Sequence, residues 1–541
     1  MTHKPILTGL GLKSSGIAGF VLSVVFGAIF AMVVTPKGFI AGTSSYWHTQ
    51  VEDIAQYLSG YLAFMRAPWS LPLLSIPSLN WPAGTVVTFV DAIPAFSLAL
   101  KLLSQVVALP ANPFGIWVLL CFALQGAAAW FAASQLRDND WWVLGLTVFL
   151  CVLMPSLTAR MGHLSLQAHF ILLFALGLYI RTQRQQKSSA GAWTLLLVLA
   201  FYINFYLTAM AIAVLAACQI DLYRKTANRR DLAVIAVPLA AIAVSVPLML
   251  GTAFGKAVPD TGFGYYSMNL LAPVAQGSLI SMPFFVDATG GQYEGYNYLG
   301  LGLIALVALA FTRLARPGAD WQRPGRFLVV VLAACAVYAL SNEVYAGPVH
   351  LLHWQVPKFL RPLFEAFRSS GRFFWPVSYA VALYTVARFT HLGRTARIGL
   401  AATVLVVQAA DLQPIFASFK QVLKREANEP ADIAQWNAAL AGVKTIHAFP
   451  KFKCNGALIR EILPLQMVAA RGGYNLTTGF ISRYGADCDA IAPEIAASDP
   501  DSSAYVFTRA QFSDEQIASY VPAGTQCRQL DIWIVCRKGQ P

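Results

Sequence analysis

Ile17-Ala18-Gly19-Phe20-Val21-Leu22-Ser23-Val24-Val25-Phe26-Gly27-Ala28-Ile29-Phe30-Ala31-Met32-Val33-Val34-Thr35 carries no charged side chain, and Lys4 and Lys13 precede it. About 20 apolar residues suffice for a helix to cross a bilayer. A signal peptide would show a small-residue cleavage site after the run, and none follows convincingly. The stretch therefore reads as a first spanning helix with its N-terminus in the cytoplasm. Further apolar runs fall near 113–135, 141–157, 166–182, 192–203, 205–222, 232–250, 299–315, 327–341, 372–389 and 398–411. That predicts an α-helical polytopic membrane protein with about 11 transmembrane helices.

Composition agrees. The 541 residues are 57% hydrophobic and 12% charged, with a mean hydropathy of +0.56. Soluble domains carry about a quarter charged residues, so the deficit points to lipid as solvent. The apolar runs stop near residue 411, and the remainder has soluble composition. The expected domains are 1–411, a membrane domain, and 412–541, a small α/β domain outside the cytoplasm.

The net charge of +13 is first a topology signal, because Lys and Arg collect in cytoplasmic loops. No basic face on a soluble fold is visible, so nucleic acid is not an expected partner. Four loops are basic: Arg181/Arg184/Lys187, Arg224/Lys225/Arg229/Arg230, Arg313/Arg316/Arg323/Arg326 and Arg388/Arg394/Arg397. Placing all four in the cytoplasm puts 36–85, 251–298, 342–371 and the tail outside. Parity then forbids 86–107 from being one span; with Asp91, Pro94 and Lys101 it reads as an interfacial helix. Cys121, Cys151, Cys218 and Cys335 lie in apolar runs and read as packing residues. Cys454, Cys488, Cys527 and Cys536 share the tail, which suits disulfides in an oxidising compartment. Cys527 and Cys536 flank a β-type run, so a local bridge is expected there; spacing does not fix the other pairing.

The polar residues gather on the outer side. Asp53 and Glu52 stand in the first outer loop; Asp53 shares a helical face with Gln50, Gln56 and Tyr57. An acid close to a spanning helix is costly unless it faces a polar cavity. Arg160 and His163 lie between two later spans and suit a phosphate or carboxylate. His169, further on, reads as a satisfied buried histidine. Tyr202, Asn204 and Tyr206 form an outer turn. The loop 251–298 offers Lys256, Asp260, Tyr265, Tyr266 and Asn269, then the Gly- and Tyr-rich stretch containing Glu294 and Tyr296, with rings suited to sugar faces. Most informative is Arg361-Pro362-Leu363-Phe364-Glu365-Ala366-Phe367-Arg368-Ser369-Ser370-Gly371-Arg372. Three arginines precede a span on the side where positive charge is disfavoured. Arg368 and Arg372, four apart, are expected to share a helix face and to meet a lipid-linked phosphate.

The acidic first loop, the stretch from Asn80-Trp81-Pro82 to Pro94, and the Arg368–Arg372 cluster resemble the GT-C superfamily of polytopic glycosyltransferases. The resemblance covers residues 1 to about 411. The sequence lacks the Trp-Trp-Asp motif of oligosaccharyltransferases. The resemblance implies an inverting enzyme of the bacterial inner membrane. It would move a sugar from a polyprenyl-phosphate donor, such as undecaprenyl phosphate, to a hydroxyl of a cell-envelope glycan or lipid on the periplasmic face, lipopolysaccharide being one such acceptor. Asp53 would be the general base. Arg368 and Arg372 would stabilise the leaving phosphate, with Arg160 and His163 helping to hold it. Glu52, Tyr57, Tyr202, Asn204, Tyr266, Glu294 and Tyr296 are the expected substrate contacts. Some members use a divalent metal (Mg or Mn) and others none; Asp53 and Glu294 are the candidates, without ligand spacing to support a site. A lipid-linked sugar flippase would show internal hydropathy symmetry, and none is seen. An O-antigen polymerase or ligase would share the arginines but not the acidic first loop.

Overall fold

The computed structural model describes residues 14–136, 140–251, 261–275, 277–279, 286–312, 323–454, 456, 459–482 and 485–539. Lys4, Lys13, Lys256, Asp260, Arg313 and Arg316 lie outside these described residues. Each expected apolar run contains a helix among its described residues. Among the described residues, seven helices are long and apolar enough to cross a membrane: Gly16–Val34, Phe114–Leu136, Trp141–Thr158, Leu164–Gln185, Phe205–Thr226, Arg229–Leu250 and Arg394–Val422. The other four runs form shorter helices: Ala190–Phe201 (12 residues), Leu301–Ala310 (10), Arg326–Leu340 (15) and Trp375–Ala387 (13). Among the described residues seven helices thus meet the length requirement, where about eleven spans were expected.

The chain forms two compact units. The first comprises residues up to Ile40, Gly115–Ala243 and Pro259–Leu423. Its helices are apolar on all sides, as helices surrounded by lipid and by each other must be. Two buried acids interrupt them, and each satisfies the exposed N–H groups of a neighbouring helix start. Asp221 accepts from Tyr179 Oη (2.8 Å) and from the amides of Phe327 and Leu328 (3.1 Å each), at the start of Arg326–Leu340. Asp411 accepts from Tyr298 Oη (2.7 Å), Leu279 N (3.0 Å) and Leu301 N (2.9 Å), at the start of Leu301–Ala310. Negative charge at a helix N-terminus is favourable, so both acids have a structural explanation.

The second unit joins Ala41–Phe114, Val244–Val258 and Lys424–Pro541. Residues 41–114 and the tail therefore belong to one unit, which divides the chain differently from a cut at 411/412. The last apolar helix runs unbroken through that point to Val422. In the second unit, Asp53–Arg66 packs on Ile459–Gly472. Gln466 Nε2 donates to Ser59 Oγ at 2.9 Å, and Arg66 Nη2 donates to Arg471 O at 2.6 Å. Gly60 permits the approach of Val90, whose Cγ2 would lie 2.5 Å from any Cβ at that position. Within 86–107 only Pro94–Leu103 is helical, besides a short 3-10 turn at Val87–Val90. At about 1.5 Å per residue it is too short to span. Its Lys101 is buried and donates to the carbonyls of Phe64 (2.8 Å) and Ala67 (2.7 Å) at the C-terminus of Asp53–Arg66.

The tail sheet contains β1 (Thr445–Phe449), β2 (Asn475–Leu476), β3 (Ser503–Thr508), β4 (Thr525–Leu530) and β5 (Trp533–Lys538), in the order β2-β1-β3-β5-β4. β1 is parallel to β2 and β3; β5 is antiparallel to β3 and β4. Phe449, Tyr505, Phe507 and Ile534 lie in its core. Cys527 and Cys536 are directly opposite on β4 and β5 and form the expected local disulfide; Cys454 pairs with Cys488.

Candidate active site

Four of the expected phosphate and substrate residues converge in the first unit. Arg160 follows the short helix Pro155–Thr158, a segment begun by a proline at the first helical position. Glu294 sits on the 3-10 turn Gln292–Gly295, and Arg372 on the 3-10 turn Ser370–Phe374. Gly371 lies where a Cβ would meet Gly295 Cα at 2.5 Å, so two glycines let these turns touch. Arg372 grips the Glu294 carboxylate with two bonds, Nε to Oε2 at 3.0 Å and Nη2 to Oε1 at 2.8 Å. Such planar, bidentate pairing is a property of arginine that lysine lacks. Arg160 Nη1 donates to Glu294 Oε2 from the other side, and its Nη2 donates to Tyr293 O at 2.8 Å. His163 Nε2 stands 3.5 Å from Glu294 Oε1.

The side chains of Glu294 and Arg160 are only 4% and 3% exposed, that of Arg372 12% and that of His163 29%. Burial opposes ionisation of Glu294. The charges of Arg372, Arg160 and His163 outweigh it and hold the carboxyl well below the usual carboxylate range. Burial pushes the Arg160 guanidinium down, against the pull of Glu294. Two guanidiniums thus share one carboxylate, leaving a surplus of positive charge in a poorly hydrated place. Arg372 also lies over the Tyr206 ring, 4.6 Å from its centroid. The Tyr206 hydroxyl accepts from Ser369 N at 3.1 Å.

Arg368 does not share a helix face with Arg372. The helix Arg361–Ala366 ends before it, and the chain re-forms as a 3-10 turn at Ser370. Arg368 instead donates to Thr261 O at 2.9 Å and lies over Tyr266, 5.3 Å from the ring centroid. Tyr266 is edge-on to Tyr293 at 6.3 Å, so aromatic rings border the cluster. Tyr296 packs edge-on to Phe419, and burial, then Asp411, push its phenol up. Asn204 is a helix N-cap: its Oδ1 accepts from Tyr206 N at 2.9 Å, and its Nδ2 donates to Ser165 Oγ at 3.1 Å. Tyr202 packs edge-on to Phe201. Of the outer turn, it is Tyr206 that reaches the arginine cluster.

The first-loop acids belong to the second unit. Glu52 is exposed and stands at the N-cap of Asp53–Arg66, while Asp53 is half-buried in its first turn. A carboxylate is favourable there. Burial, then Glu52 and Asp53, push the Tyr46 phenol up, which places both acids within electrostatic reach of it. The residues expected to share the Asp53 face hold the fold together. Gln50 exchanges both amide bonds with Ala431, at 2.9 Å each. Gln56 donates to Phe480 O at 2.9 Å. Tyr57 is 2% exposed and packs edge-on to Phe114. The Gln50 amide is thus engaged at both its oxygen and its nitrogen.

Among the described residues no group of three or more His, Cys, Asp or Glu is placed to hold a metal ion. Both Glu294 oxygens already face arginine or histidine nitrogens, so Glu294 does not fit a metal ligand.

No curated protein matches the sequence. Among solved structures, the chain is similar to the arabinofuranosyltransferase AftD from Mycobacteria, at 14% identity and a TM-score of 0.44 over 90% of this chain and 40% of that one. It is also similar to the oligosaccharyltransferase of Archaeoglobus fulgidus, at 10% identity and a TM-score of 0.41 over 92% of this chain and 69% of that one. The chain thus covers 40% of the length of AftD. A family model described as a domain of unknown function, DUF6311, matches residues 24–413, and the model of the DUF6311 C-terminal domain matches 435–538. In both its helical part and its tail, the chain belongs to the DUF6311 family.

Proposed function

We propose that the chain transfers a glycosyl unit from a polyprenyl-phosphate donor to a hydroxyl of a cell-envelope glycan or lipid, at the periplasmic face of a bacterial inner membrane. The observation that carries this reading is the surplus of arginine over carboxylate around Glu294. A phosphate monoester or diester is the anion such a surplus suits. Glu294 acts as a positioning residue that fixes two guanidiniums before the phosphate arrives. Arg160 and Arg372 are the phosphate contacts, and Arg368 and His163 add charge beside them. Tyr206, Tyr266 and Tyr293 offer the flat faces a sugar or prenyl chain requires.

The reaction breaks the bond between the anomeric carbon and the phosphate oxygen, whose electron pair leaves with the phosphate. The acceptor oxygen attacks from the opposite side, with inversion, and its proton passes to the carboxylate of the base, assigned to Asp53.

The location rests on two supports. Both disulfides lie in the second unit, and disulfides persist in oxidising compartments. The same unit holds the segment after the first apolar helix and the segment after the last. Their place in one unit supports the reading that both lie on one side of a bilayer, with an even number of crossings between them.

Complementation of a deletion strain with Asp53→Asn, scoring envelope sugar content and membrane abundance, tests the scheme. Loss of a general base lowers turnover by about 10²–10⁴-fold. Normal sugar content at normal abundance would remove Asp53 from the chemistry.

A further inference from the structure

A second set of polar groups lies in the first unit, and the phosphate cluster does not use it. Gln167, His169, Trp375, Tyr379 and Gln125 are all fully buried. His169 Nδ1 is 2.8 Å from Tyr379 Oη, and its ring lies 4.1 Å from that of Trp375. Gln125 lies within electrostatic reach of Tyr379 and donates to Cys151 O at 3.1 Å. The Arg160 guanidinium is within electrostatic reach of His169, so this group stands beside the arginine cluster.

The expectation of a satisfied histidine at position 169 is met at only one of its two nitrogens. His169 Nε2, Gln167 Oε1 and Nε2, Trp375 Nε1, Gln125 Oε1 and Arg160 Nε are buried without a hydrogen-bond partner among the described residues. Ser156 Oγ and Thr158 Oγ1, on the turn leading to Arg160, are unpartnered as well. An orphaned buried polar atom costs free energy comparable to a lost hydrogen bond. So many in one part of a membrane protein call for a ligand or ordered water that returns those bonds. Their chemistry defines what would do so. Trp375 Nε1 and Arg160 Nε only donate, Gln125 Oε1 only accepts, and Gln167 and the hydroxyls do both. That alternation suits neither a simple anion nor a cation. It suits a neutral group bearing several hydroxyls.

We propose that Gln167, His169 and Trp375, backed by Gln125 and Tyr379, form the recess that receives a neutral polyhydroxylated ring, the glycosyl unit attached to the phosphate held by Arg160 and Arg372. The inference rests on the phosphate reading above and adds what sits beyond the phosphate. Internal water offers the same hydroxyl chemistry and is the alternative source.

The test uses the full chain in nanodiscs. It compares binding of undecaprenyl phosphate with binding of a panel of undecaprenyl-phosphate hexoses and pentoses, for wild type, Gln167→Leu and Trp375→Phe. The wild type should bind at least one glycosylated lipid about tenfold more tightly than the bare phosphate. Each variant should lose most of that ratio, keep its affinity for undecaprenyl phosphate, and melt no lower than wild type, because it deletes an unpaired polar group. If the ratio survives in both variants, or if no glycosylated lipid is preferred by the wild type, the groups serve water and the recess is refuted. If the wild type binds neither lipid, the phosphate reading falls and takes this inference with it.

Discussion

Glu294, which is buried, and Glu494, which is half-buried, are both carboxylates held ionised by basic neighbours, yet they differ in what is left over. Around Glu294 stand Arg372, Arg160 and His163, all brought from distant parts of the chain. Around Glu494 stand Lys451, at 2.6 Å, just beyond the end of β1, and His447, at 2.9 Å, in the middle of that strand. Burial opposes the charge of each acid, and in each case its partners win and lower the carboxyl below its ordinary range. Lys451 also donates to Thr477 Oγ1 at 2.6 Å, which ties β1 to the chain after β2. One lysine balances one carboxylate, so the tail cluster is a clasp with no charge to offer. Two guanidiniums on one carboxylate leave a charge that a ligand can meet. The same motif of a buried ion pair therefore serves structure in one place and binding in the other, and the count of charges decides which.

Substituting the two acids alike sharpens this contrast. Glu294→Gln strands two buried guanidiniums and should cost about 3–5 kcal/mol of stability, with transfer activity lost. Because an anion can replace the missing carboxylate, undecaprenyl phosphate should raise the melting temperature of Glu294→Gln more than that of wild type. Glu494→Gln should cost less, about 1–2 kcal/mol, since its side chain is 21% exposed and screening weakens the pair. It should retain transfer activity and gain nothing extra from the lipid. Equal rescue of both variants would break the distinction.

The disulfides probe the second unit alone. Cys454–Cys488 spans 34 residues and Cys527–Cys536 spans 9. Chain entropy gives stabilisations of about 4 and 2.5 kcal/mol. Thermal melts of Cys454→Ser/Cys488→Ser and Cys527→Ser/Cys536→Ser should rank in that order. The reverse order would show that the longer loop is already constrained when reduced.

The smallest effect concerns acid. Both glutamates have folded pKa values below their unfolded ones. Their contribution is therefore complete above about pH 4.5 and is lost as pH falls toward the depressed values. Melts should be flat with respect to these groups from neutral pH down to about 5 and decline below it. Glu494→Gln should flatten the decline of the tail transition. An unchanged acid limb would mean that Glu494 contributes no linkage.

Much of this was legible in the sequence, because membrane helices announce themselves by composition. Runs such as Leu301–Ala310 need no partner to be recognised. Cys527 and Cys536 flanked a strand closely enough to predict their bridge. Arg160, His163, Glu294 and Arg372 were each visible as polar residues in segments expected on the outer side. Their union was not, because Glu294 lies 134 positions from Arg160 and 78 from Arg372, and only tertiary packing joins them. The supposed helical pairing of Arg368 with Arg372 failed because the backbone breaks between Ala366 and Ser370, which a spacing of four cannot reveal. Gln50 and Gln56, expected to share the Asp53 face, bond buried backbone instead, because an amide side chain satisfies a backbone group as readily as a substrate. Asp221 and Asp411 gave no warning of their roles, since the helix starts they cap lie far along the chain.

The central claim is that the charge left over at Arg160 and Arg372 binds a lipid-linked phosphate. The most direct measurement is the affinity of undecaprenyl phosphate for the full chain in nanodiscs, wild type against Arg372→Ala, at two salt concentrations. Arg372→Ala should weaken binding by about tenfold or more and reduce the salt dependence that remains. Equal affinity and equal salt dependence in the two proteins would contradict the account.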